Sequence, residues 1–324
     1  MVSVIIVSFN TRDILKSSIQ ALRKHSDGIP LEIIVVDNDS RDGSAEMVAE
    51  QFPDVVLIAN SVNAGFAAAN NQAFAIALHP YLVLLNPDAY IQPGSLAASV
   101  RFMERHQQCG IAGGKIVSPE GHLEPSARRF PTPLSKILTM SGVSNRFADS
   151  PLLNRHEFGG FAHDRPMEVD WVPGTYSIIR RKMLDEIGYF DERFFLYYEE
   201  TDLCLRAKRS GWKVYFIPDA EVIHIGGACS KTVKDKSFDA GASQVLSFRL
   251  RSEWLYYRKN KGMLLLLASA GLEIGWHAMR YLKNTLLPSG DASAKKRETS
   301  SLLRQSIDAL NATRLGTYSP PKPW

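Results

Sequence analysis

The sequence has few cysteines and no long apolar run, and each shortage disfavours a class of protein. Cys109, Cys204 and Cys229 are the only cysteines among 324 residues, and they lie far apart in no metal-binding spacing. A disulfide scaffold is therefore disfavoured, and free thiols in a reducing compartment are expected. No uninterrupted apolar run reaches 18 residues, so a conventional membrane-spanning helix is not predicted.

Glycine-rich phosphate-binding motifs are also missing. No G-x-G-x-x-G follows the first predicted strand, and no G-x-x-x-x-G-K-[ST] occurs anywhere in the chain. A dehydrogenase dinucleotide site and a P-loop NTPase are therefore disfavoured. A nucleotide bound by this chain would need its phosphates neutralised in another way, such as by a metal ion.

Charge is distributed unevenly along the chain. The net charge is +4, but residues 249–324 hold 13 Lys and Arg against 5 Asp and Glu, whereas residues 1–248 hold 25 against 29. A basic tail indicates contact with an anionic partner, either phospholipid or nucleic acid. Because Met1 leads directly into the strand-like run VSVIIVSF, no signal peptide is expected, and the protein is expected in the cytoplasm.

Strand-like and helix-like patterns alternate over the first 117 residues. Strand patterns occur at residues 2–9, 31–37, 55–59, 81–85 and 111–117. This β-α alternation predicts an α/β domain with a mostly parallel central sheet flanked by helices. The periodicity fails over residues 118–167, where a long irregular segment is predicted.

Three regions are predicted from these patterns: an α/β domain at residues 1–228, a helical segment at 229–288 and a basic, disordered tail at 289–324. Residues 254–287 combine aromatic and basic side chains with an apolar block that Glu273 and His277 interrupt. That composition is typical of a helix at a lipid interface, and packing in a protein core is the alternative. Residues 288–300 are expected to be a linker, followed by a short amphipathic helix to residue 312.

Polar residues follow three of the predicted strands at their carboxyl ends. Ser8-Phe9-Asn10, Asp37-Asn38-Asp39 and Asn86-Pro87-Asp88 hold these positions. Ligands of open α/β sheets bind beyond the carboxyl ends of the strands, so these residues predict a nucleotide site. Asp88 also suits Mg²⁺ or Mn²⁺ holding a diphosphate. The alternative is that the three segments are only helix caps and turns.

Several ordered motifs carry a resemblance to a known family. The runs VSVIIVSFN, VVDNDSRDGS, NAGFAAANNQA and LLNPDA resemble the inverting family 2 glycosyltransferases of GT-A fold, and are most similar to the rhamnosyltransferase-like branch. The similarity continues from Val169 to Gly227 and covers about 225 residues.

The resemblance implies a role for each matching residue. Ser8, Phe9 and Asn10 would lie against the nucleobase, and Asp37 or Asn38 would bind its edge, with Asp39 close by. The other implied residues bordering the donor are Asn63, Gly65, Phe66, Asn70 and Asn86. Trp171 and Gly174 would shape the cleft that takes the donor and the acceptor. Asp88 would bind the metal, because Asn86 replaces the first carboxylate of the family's D-x-D element; His224 would complete the site, unless it is a structural histidine.

The acidic run Glu199-Glu200-Thr201-Asp202 matches the family's acid/base element, usually E-D-x-D. Glu200 stands where the resemblance implies the general base, with Glu199 as the second candidate. Asp202 is expected to orient a neighbour by pairing with Arg206, one helical turn later. The alternative is a solvated acidic helix start that the helix dipole favours.

The predicted function is an inverting glycosyltransferase that uses a divalent cation and a nucleotide-diphosphate sugar. The resemblance implies L-rhamnose from dTDP-rhamnose and a lipid-linked or polysaccharide acceptor of the bacterial cell envelope or O-antigen, at the inner face of the membrane. A transferase using a UDP- or GDP-sugar, or a non-catalytic nucleotide-sugar-binding module of the same fold, are the alternatives. A nucleic-acid partner is not expected, since no binding motif accompanies the basic tail.

Overall fold

The structure is a computed structural model that describes residues 1–226, 238–287 and 292–320, without the side chains of 238–243 and 292. The chain forms two compact units. The first contains residues 1–130, 156–192 and 199–226, and the second contains residues 131–155, 193–198 and the described residues from 238 onward. The expected domain boundaries at 228 and 289, like Gly227 and Cys229, lie outside the described residues.

One sheet organises the first unit. Its strands are β1 (Val2–Ser8), β2 (Leu31–Asn38), β3 (Val56–Asn60), β4 (Tyr81–Leu85), β5 (Ala89–Ile91), β6 (Cys109–Val117), β7 (Leu123–Glu124), β8 (Met167–Glu168), β9 (Tyr176–Arg180) and β10 (Lys213–His224). The strand order is β3-β2-β1-β4-β9-β6-β10-β5, with β7 paired to β6 and β8 to β10. Pairing is parallel from β3 to β4, and β9 is antiparallel to both of its neighbours.

Helices cover both faces of this sheet, as the alternation of patterns predicts. They are α1 (Arg12–Lys24), α2 (Ser44–Gln51), α3 (Phe66–Ile76), α4 (Ser95–Arg105), α7 (Arg181–Ile187) and α8 (Glu199–Arg209). Successive strand residues point to opposite faces, so Val4 and Ile6 of β1 join one buried cluster while Ile5 joins the other. Continuous apolar strands such as β1 are required because neither face meets water.

Helices build the second unit: α5 (Pro133–Met140), α6 (Val143–Arg146), α9 (Phe238–Asn260), α10 (Met263–Leu286) and α11 (Ala292–Ala312). A capping box between Thr132 and Ser135 begins α5. The α5 residue Lys136 forms ion pairs of 2.6 Å with Glu253 of α9 and Glu273 of α10. None of the helices in the described ranges has the length and apolar composition needed to cross a bilayer.

The structure differs from the sequence-based expectation in two segments. Residues 118–167 were expected to be irregular, but they contain β7, α5 and α6. Residues 292–300 were expected to be a linker, yet they form the first part of α11. Thr299 is buried, and beyond α11 Thr313 is buried too, so packing orders a polar stretch that composition alone describes as a loose tail.

Candidate functional site

The three polar strand ends lie at one edge of the sheet. β1 lies between β2 and β4 and is parallel to both, with Ser8 opposite Asp37 and Ile5 opposite Leu84. Asn10, Asp39 and Asn86 follow these strands at that edge. Asn10 and Asp39 have φ of +53° and +67°, the left-handed region that non-glycine residues rarely adopt. Such backbone strain is concentrated at functional sites.

Hydrogen bonds join the loops after β1 and β2. The Asn10 backbone N–H donates to Ser40 Oγ at 2.8 Å, and the Arg41 N–H donates to Asn10 Oδ1 at 2.7 Å. The Ser8 hydroxyl lies 2.9 Å from that of Thr11. Asn10 and Ser8 therefore shape the loop, and Phe9 between them is half-buried.

Asp37 and Asn38 differ in how many of their side-chain polar atoms form hydrogen bonds. Asn38 donates to the Gly65 carbonyl at 3.3 Å and accepts from the Asn60 amide at 2.9 Å. Asp37 accepts from the Ser40 N–H through Oδ1, while its buried Oδ2 has no hydrogen-bond partner among the described residues. Burial raises the pKa of Asp37 against the hydrogen bonds from Ser40. A buried carboxylate oxygen without a hydrogen-bond partner lowers the stability of the fold. Asp37 Oδ2 is therefore available to a hydrogen-bond donor of a ligand.

The segment from Asn63 to Asn70 forms the next part of this edge. Gly65 has a φ of +87°, and its N–H donates a hydrogen bond to Asn63 Oδ1 at 3.0 Å. Only glycine adopts this backbone readily, which fixes where α3 begins. Phe66 is half-buried beside it, and the Asn70 amide donates to the Phe66 carbonyl at 2.8 Å.

Asp88 and His224 lie together, and a third residue holds the histidine. His224 Nε2 is 3.5 Å from Asp88 Oδ1, and its Nδ1 is 2.9 Å from Glu124 Oε2. A backbone hydrogen bond also joins the two segments, because the Ile225 N–H donates to the Asp88 carbonyl at 2.9 Å. Burial alone would lower the pKa of His224, but the two carboxylates outweigh burial and raise it.

This pair fits a divalent cation that also binds phosphate. Carboxylate oxygen and imidazole nitrogen are ligands for Mn²⁺, and a carboxylate on the second ring nitrogen is the usual support of a metal-bound histidine. Within the described ranges, no group of three or more His, Cys, Asp or Glu could hold a metal. The protein would thus supply two ligands, and substrate oxygens or water would supply the others.

Glu199 and Glu200 begin α8 and share a hydrogen bond between their carboxyl groups. The pKa of Glu199, which is only 3% exposed, lies well above its usual value because it is buried and because Glu200 is adjacent. Burial also raises the pKa of Glu200, whereas hydrogen bonds from Glu199 and the Gly174 N–H oppose that rise. Of the two, Glu199 has the more strongly raised pKa, which favours Glu199 as the protonated member of the pair and Glu200 as the carboxylate.

One oxygen of each carboxyl group is left over. Oε2 of Glu199 and Oε2 of Glu200 have no hydrogen-bond partner in the part of the chain that the structure describes. Glu200 is partly exposed, whereas Glu199 is buried. Both of these unpaired oxygens are buried, so exposure does not distinguish between the two candidates for the base. The two residues before α8 along the chain, Tyr197 and Tyr198, have φ of +69° and +70°.

Two adjacent residues connect the acidic pair with the strand ends. The Gly174 N–H donates to Glu200, and the Thr175 carbonyl accepts from the Asn86 N–H at 3.0 Å. A Cβ on Gly174 would lie 3.4 Å from the ring of Phe66, so a side chain here would crowd that ring. The turn at Asn86, the Phe66 segment and Glu200 therefore border the same short stretch of backbone.

Trp171 and Asp202 have mainly structural contacts. The Trp171 indole N–H donates to the Arg129 carbonyl at 3.0 Å. Asp202 is fully buried and accepts from Arg206 Nε at 2.9 Å, which confirms the expected pairing. Arg206 in turn donates to the carbonyls of Ile187 and Tyr189, so this ion pair holds α8 against the end of α7.

Sequence reasoning missed Glu124 and Thr175. Glu124 lies in the segment predicted to be irregular, a hundred residues from His224, and no local pattern indicates the contact. Thr175 acts through its backbone carbonyl, which any residue type could supply. The one signal was its position beside Gly174.

Comparison with known proteins identifies the family. The model of "Glycosyl transferase family 2" matches residues 3–188, more than half of the chain. The chain therefore belongs to that family. The matched range includes the strand ends, the Asn63–Asn70 segment, Asp88 and Gly174, but ends before Glu199.

Two curated relatives are named as rhamnosyltransferases. The N-acetylglucosaminyl-diphospho-decaprenol L-rhamnosyltransferase of Mycobacterium tuberculosis is 29% identical over 210 residues, which cover 60% of this chain and 66% of that relative. Rhamnosyltransferase WbbL of Escherichia coli is 25% identical over 249 residues, 74% of this chain and 88% of the relative. The chain thus spans slightly less than two thirds of the mycobacterial protein.

Solved structures show the same fold. A mannosyltransferase from Pyrobaculum calidifontis, in complex with GDP-Man and Mn²⁺, aligns with a TM-score of 0.52 at 16% identity, over 95% of this chain and 86% of that one. GalNAc-T7 with UDP, GalNAc and Mn²⁺ aligns with a TM-score of 0.54 at 16% identity, over 99% and 59% of the two chains. The expected GT-A fold is confirmed.

Proposed function

We propose that this member of glycosyl transferase family 2 transfers a sugar, with inversion, from a nucleotide-diphosphate donor to a hydroxyl group of a glycan acceptor. The observation that carries the proposal is the Glu199–Glu200 pair. It offers two carboxyl groups, each with a buried oxygen that has no hydrogen-bond partner among the described residues, beside the backbone that also contacts the turn before Asp88.

Glu200 is the general base in this proposal. Its Oε2 accepts the proton of the acceptor hydroxyl as that oxygen forms a bond to C1 of the sugar. The bond from C1 to the diphosphate oxygen breaks on the opposite face, and the nucleoside diphosphate leaves with the electron pair. Glu199 remains protonated and orients Glu200 through their hydrogen bond, so Glu199 is a positioning residue.

The donor nucleotide lies along the sheet edge. Asp37 is preferred to Asn38 for the base edge, because the Asn38 amide already binds Gly65 and Asn60. Phe9 and Phe66 supply aromatic surface for the base and ribose, and Asn10, Asp39 and Asn63 set the loops around them. Asp88 and His224 would hold a divalent cation, which when bound neutralises the diphosphate.

The finer proposal concerns the sugar, the acceptor and the place of action. We propose L-rhamnose from dTDP-rhamnose and a lipid-linked or polysaccharide acceptor of the bacterial cell envelope or O-antigen. The support is that both relatives described above are rhamnosyltransferases and that one name specifies a diphospho-decaprenol acceptor. An enzyme acting on such an acceptor would work in the cytoplasm at the inner face of the membrane, touching it through residues 254–287.

A donor panel tests this proposal. Purified protein is incubated with dTDP-rhamnose, UDP-sugars and GDP-sugars, each with and without Mn²⁺ or Mg²⁺, and release of the nucleoside diphosphate is measured. Metal-dependent turnover with one donor class supports the transferase, and dTDP-rhamnose is expected to give the fastest rate. Donor binding without turnover, on any acceptor extract, would instead support the non-catalytic module that the Asn86 and Glu200 departures suggest.

A further inference from the structure

Helix α11 carries a basic stripe along one face. Ser293, Lys296, Arg297, Ser300, Ser301 and Arg304 follow one another at alternating intervals of three residues and one, so that every second member is four residues away, which is the spacing of a helical face. We call these six residues the basic stripe. They line a cleft of about 500 Å³ together with Tyr281 of α10. All of these residues belong to the second unit.

The lining of this cleft has the chemistry of a phosphate site. It contains three cationic side chains, three serines and one tyrosine, and among the described residues no carboxylate contributes to it. Lys296 Nζ lies 5.3 Å from the centre of the Tyr281 ring, and Arg297 Nη1 lies 3.4 Å from Ser293 Oγ. Guanidinium groups and hydroxyls are the donors that phosphate oxygens accept from.

The neighbouring helix exposes an apolar row in the same unit. Met279, Leu282 and Leu286 of α10 follow one another at three and four residues, and are 54%, 56% and 73% exposed. Leu282 directly follows Tyr281, which lines the cleft. Large apolar side chains exposed in a row mark a surface that binds a partner or a membrane.

We propose that the basic stripe and the apolar row of α10 form a docking surface for the phosphate headgroups of an anionic phospholipid bilayer. The basic stripe binds lipid phosphates, and Met279, Leu282 and Leu286 enter the region between headgroups and acyl chains. Charge favours this occupant, because among the described residues the lining of the cleft holds three cationic side chains and no carboxylate. An apolar row next to phosphate donors also matches the two layers of a lipid interface.

This inference rests on the proposed function, since a lipid-linked acceptor places the enzyme at a membrane. It goes further in naming the residues, because the basic stripe lies outside residues 254–287. Binding remains peripheral, as in helices that lie in the plane of the interface. Its failure is separable from failure of the transferase, because donor turnover is measured without vesicles.

Vesicle co-sedimentation of the full chain tests the headgroup contact. Vesicles of phosphatidylcholine with about 30% phosphatidylglycerol are compared with pure phosphatidylcholine at low and physiological salt. The variant Lys296→Gln/Arg297→Gln/Arg304→Gln is expected to lose about 100-fold in affinity for the anionic vesicles at low salt. The matched control Lys24→Gln/Arg101→Gln/Arg105→Gln removes three exposed charges of the first unit and is expected to bind like the parent.

A second pair of variants tests the apolar row. Leu282→Ser/Leu286→Ser is expected to weaken vesicle binding about tenfold or more even at physiological salt, where burial of apolar surface dominates. Leu78→Ser/Leu152→Ser, at two other exposed leucines, is the matched control and should bind normally. Thermal melting and donor hydrolysis confirm that each variant is folded and leave the transferase activity as a separate readout.

Three results would overturn the proposal. The first is parent protein that does not sediment with anionic vesicles. The second is an equal loss of affinity for anionic vesicles in the stripe variant and in its charge-matched control. The third is calorimetric binding of inorganic phosphate or diphosphate as tight as vesicle binding and lost in the stripe variant. That outcome would assign the cleft to a free phosphate compound.

Discussion

Each unit of the molecule buries a pair of glutamates, and the two pairs have opposite surroundings. Glu199 and Glu200 of the first unit contact each other and their own backbone, Glu200 also accepts from the Gly174 N–H, and the pKa values of both are raised. Glu253 and Glu273 of the second unit both contact Lys136. Burial alone would raise the pKa of Glu273, but His277, Lys136 and Arg249 outweigh burial and lower this pKa to about 2.

The difference between the two pairs indicates that a neighbouring cation lowers the pKa of a buried carboxyl group, whereas burial without a cation raises it. Lys136 also lies 4.4 Å from the Trp254 ring centre, while His277 and Arg249 contact Glu273, so this cluster is neutralised inside the protein. Such a cluster joins the helices through ion pairs. The Glu199–Glu200 pair has raised pKa values, a buried unpaired oxygen on each side chain and no ion pair with a cation among the described residues, and such perturbed carboxyl groups are typical of acid/base sites.

The largest expected effect comes from removing the base. Glu200→Gln keeps the size of the side chain but cannot take a proton, so turnover should fall about a hundredfold to ten-thousandfold. Donor binding, measured by titration with the nucleoside diphosphate and Mn²⁺, should stay near the parent value. Glu50→Gln, at an exposed position, is the control. Undiminished turnover in Glu200→Gln would show that the Glu199–Glu200 pair does not supply the general base.

The structural role of the Glu253–Glu273 pair is tested by removing the Lys136 cation. Lys136→Met removes the cation that lies 2.6 Å from both Glu253 and Glu273 and leaves Arg249 at 3.3 and 3.4 Å, so the free energy of unfolding should fall by about 3 kcal/mol in urea titrations. Lys182→Met, an exposed lysine of α7, should change it little. Adding Glu253→Gln and Glu273→Gln to Lys136→Met should restore much of the loss. A Lys136→Met protein as stable as the parent would show that the pairing does not matter.

Glu124 offers an intermediate case, a carboxylate that supports another residue. Glu124→Gln removes the charge that orients His224, so Mn²⁺ affinity in the presence of nucleoside diphosphate should fall about 10- to 100-fold. The fall should be seen by electron paramagnetic resonance of free Mn²⁺, independently of turnover. Glu120→Gln, four residues away and exposed, provides the control. Equal Mn²⁺ affinity in both variants would leave Glu124 a surface residue.

The smallest effect is expected from Glu199→Gln. The glutamine N–H can replace the proton that Glu199 donates to Glu200, so turnover should stay within about tenfold of the parent. Because the folded-state pKa of Glu199 is raised, its stabilising contribution is complete below the unfolded pKa and is lost as pH rises through the folded value. The melting temperature of Glu199→Gln minus that of the parent should therefore increase with pH. A difference that decreases with pH would show Glu199 ionised.

Much of the donor edge was predictable because local patterns determine it. The apolar run Tyr81–Leu85 ends at the predicted residue, and β1 and β2 end within one residue of prediction. Parallel pairing then places Asn10, Asp39 and Asn86 together without further information. The pairing of Asp202 with Arg206 was equally local, one turn apart on α8.

Contacts between distant segments were not predictable. The Lys136 cluster joins residues more than a hundred positions apart, and in the sequence Glu273 and His277 only interrupt an apolar pattern. β5 was missed because three residues after a turn carry no periodicity. The start of α11 was missed because helix formation there depends on packing, as buried Thr299 shows, and not on composition.

The protonation states of the two glutamate pairs test the central claim most directly. The protein is labelled with ¹³C at the glutamate carboxyl carbon, and its NMR spectrum is recorded from acid to neutral pH, with signals assigned by Glu199→Gln, Glu200→Gln and Glu273→Gln. At about pH 6, where an ordinary glutamate is ionised, Glu199 should still carry its proton and Glu273 should be a carboxylate. An ionised Glu199 at that pH, titrating like an exposed side chain, would contradict the account.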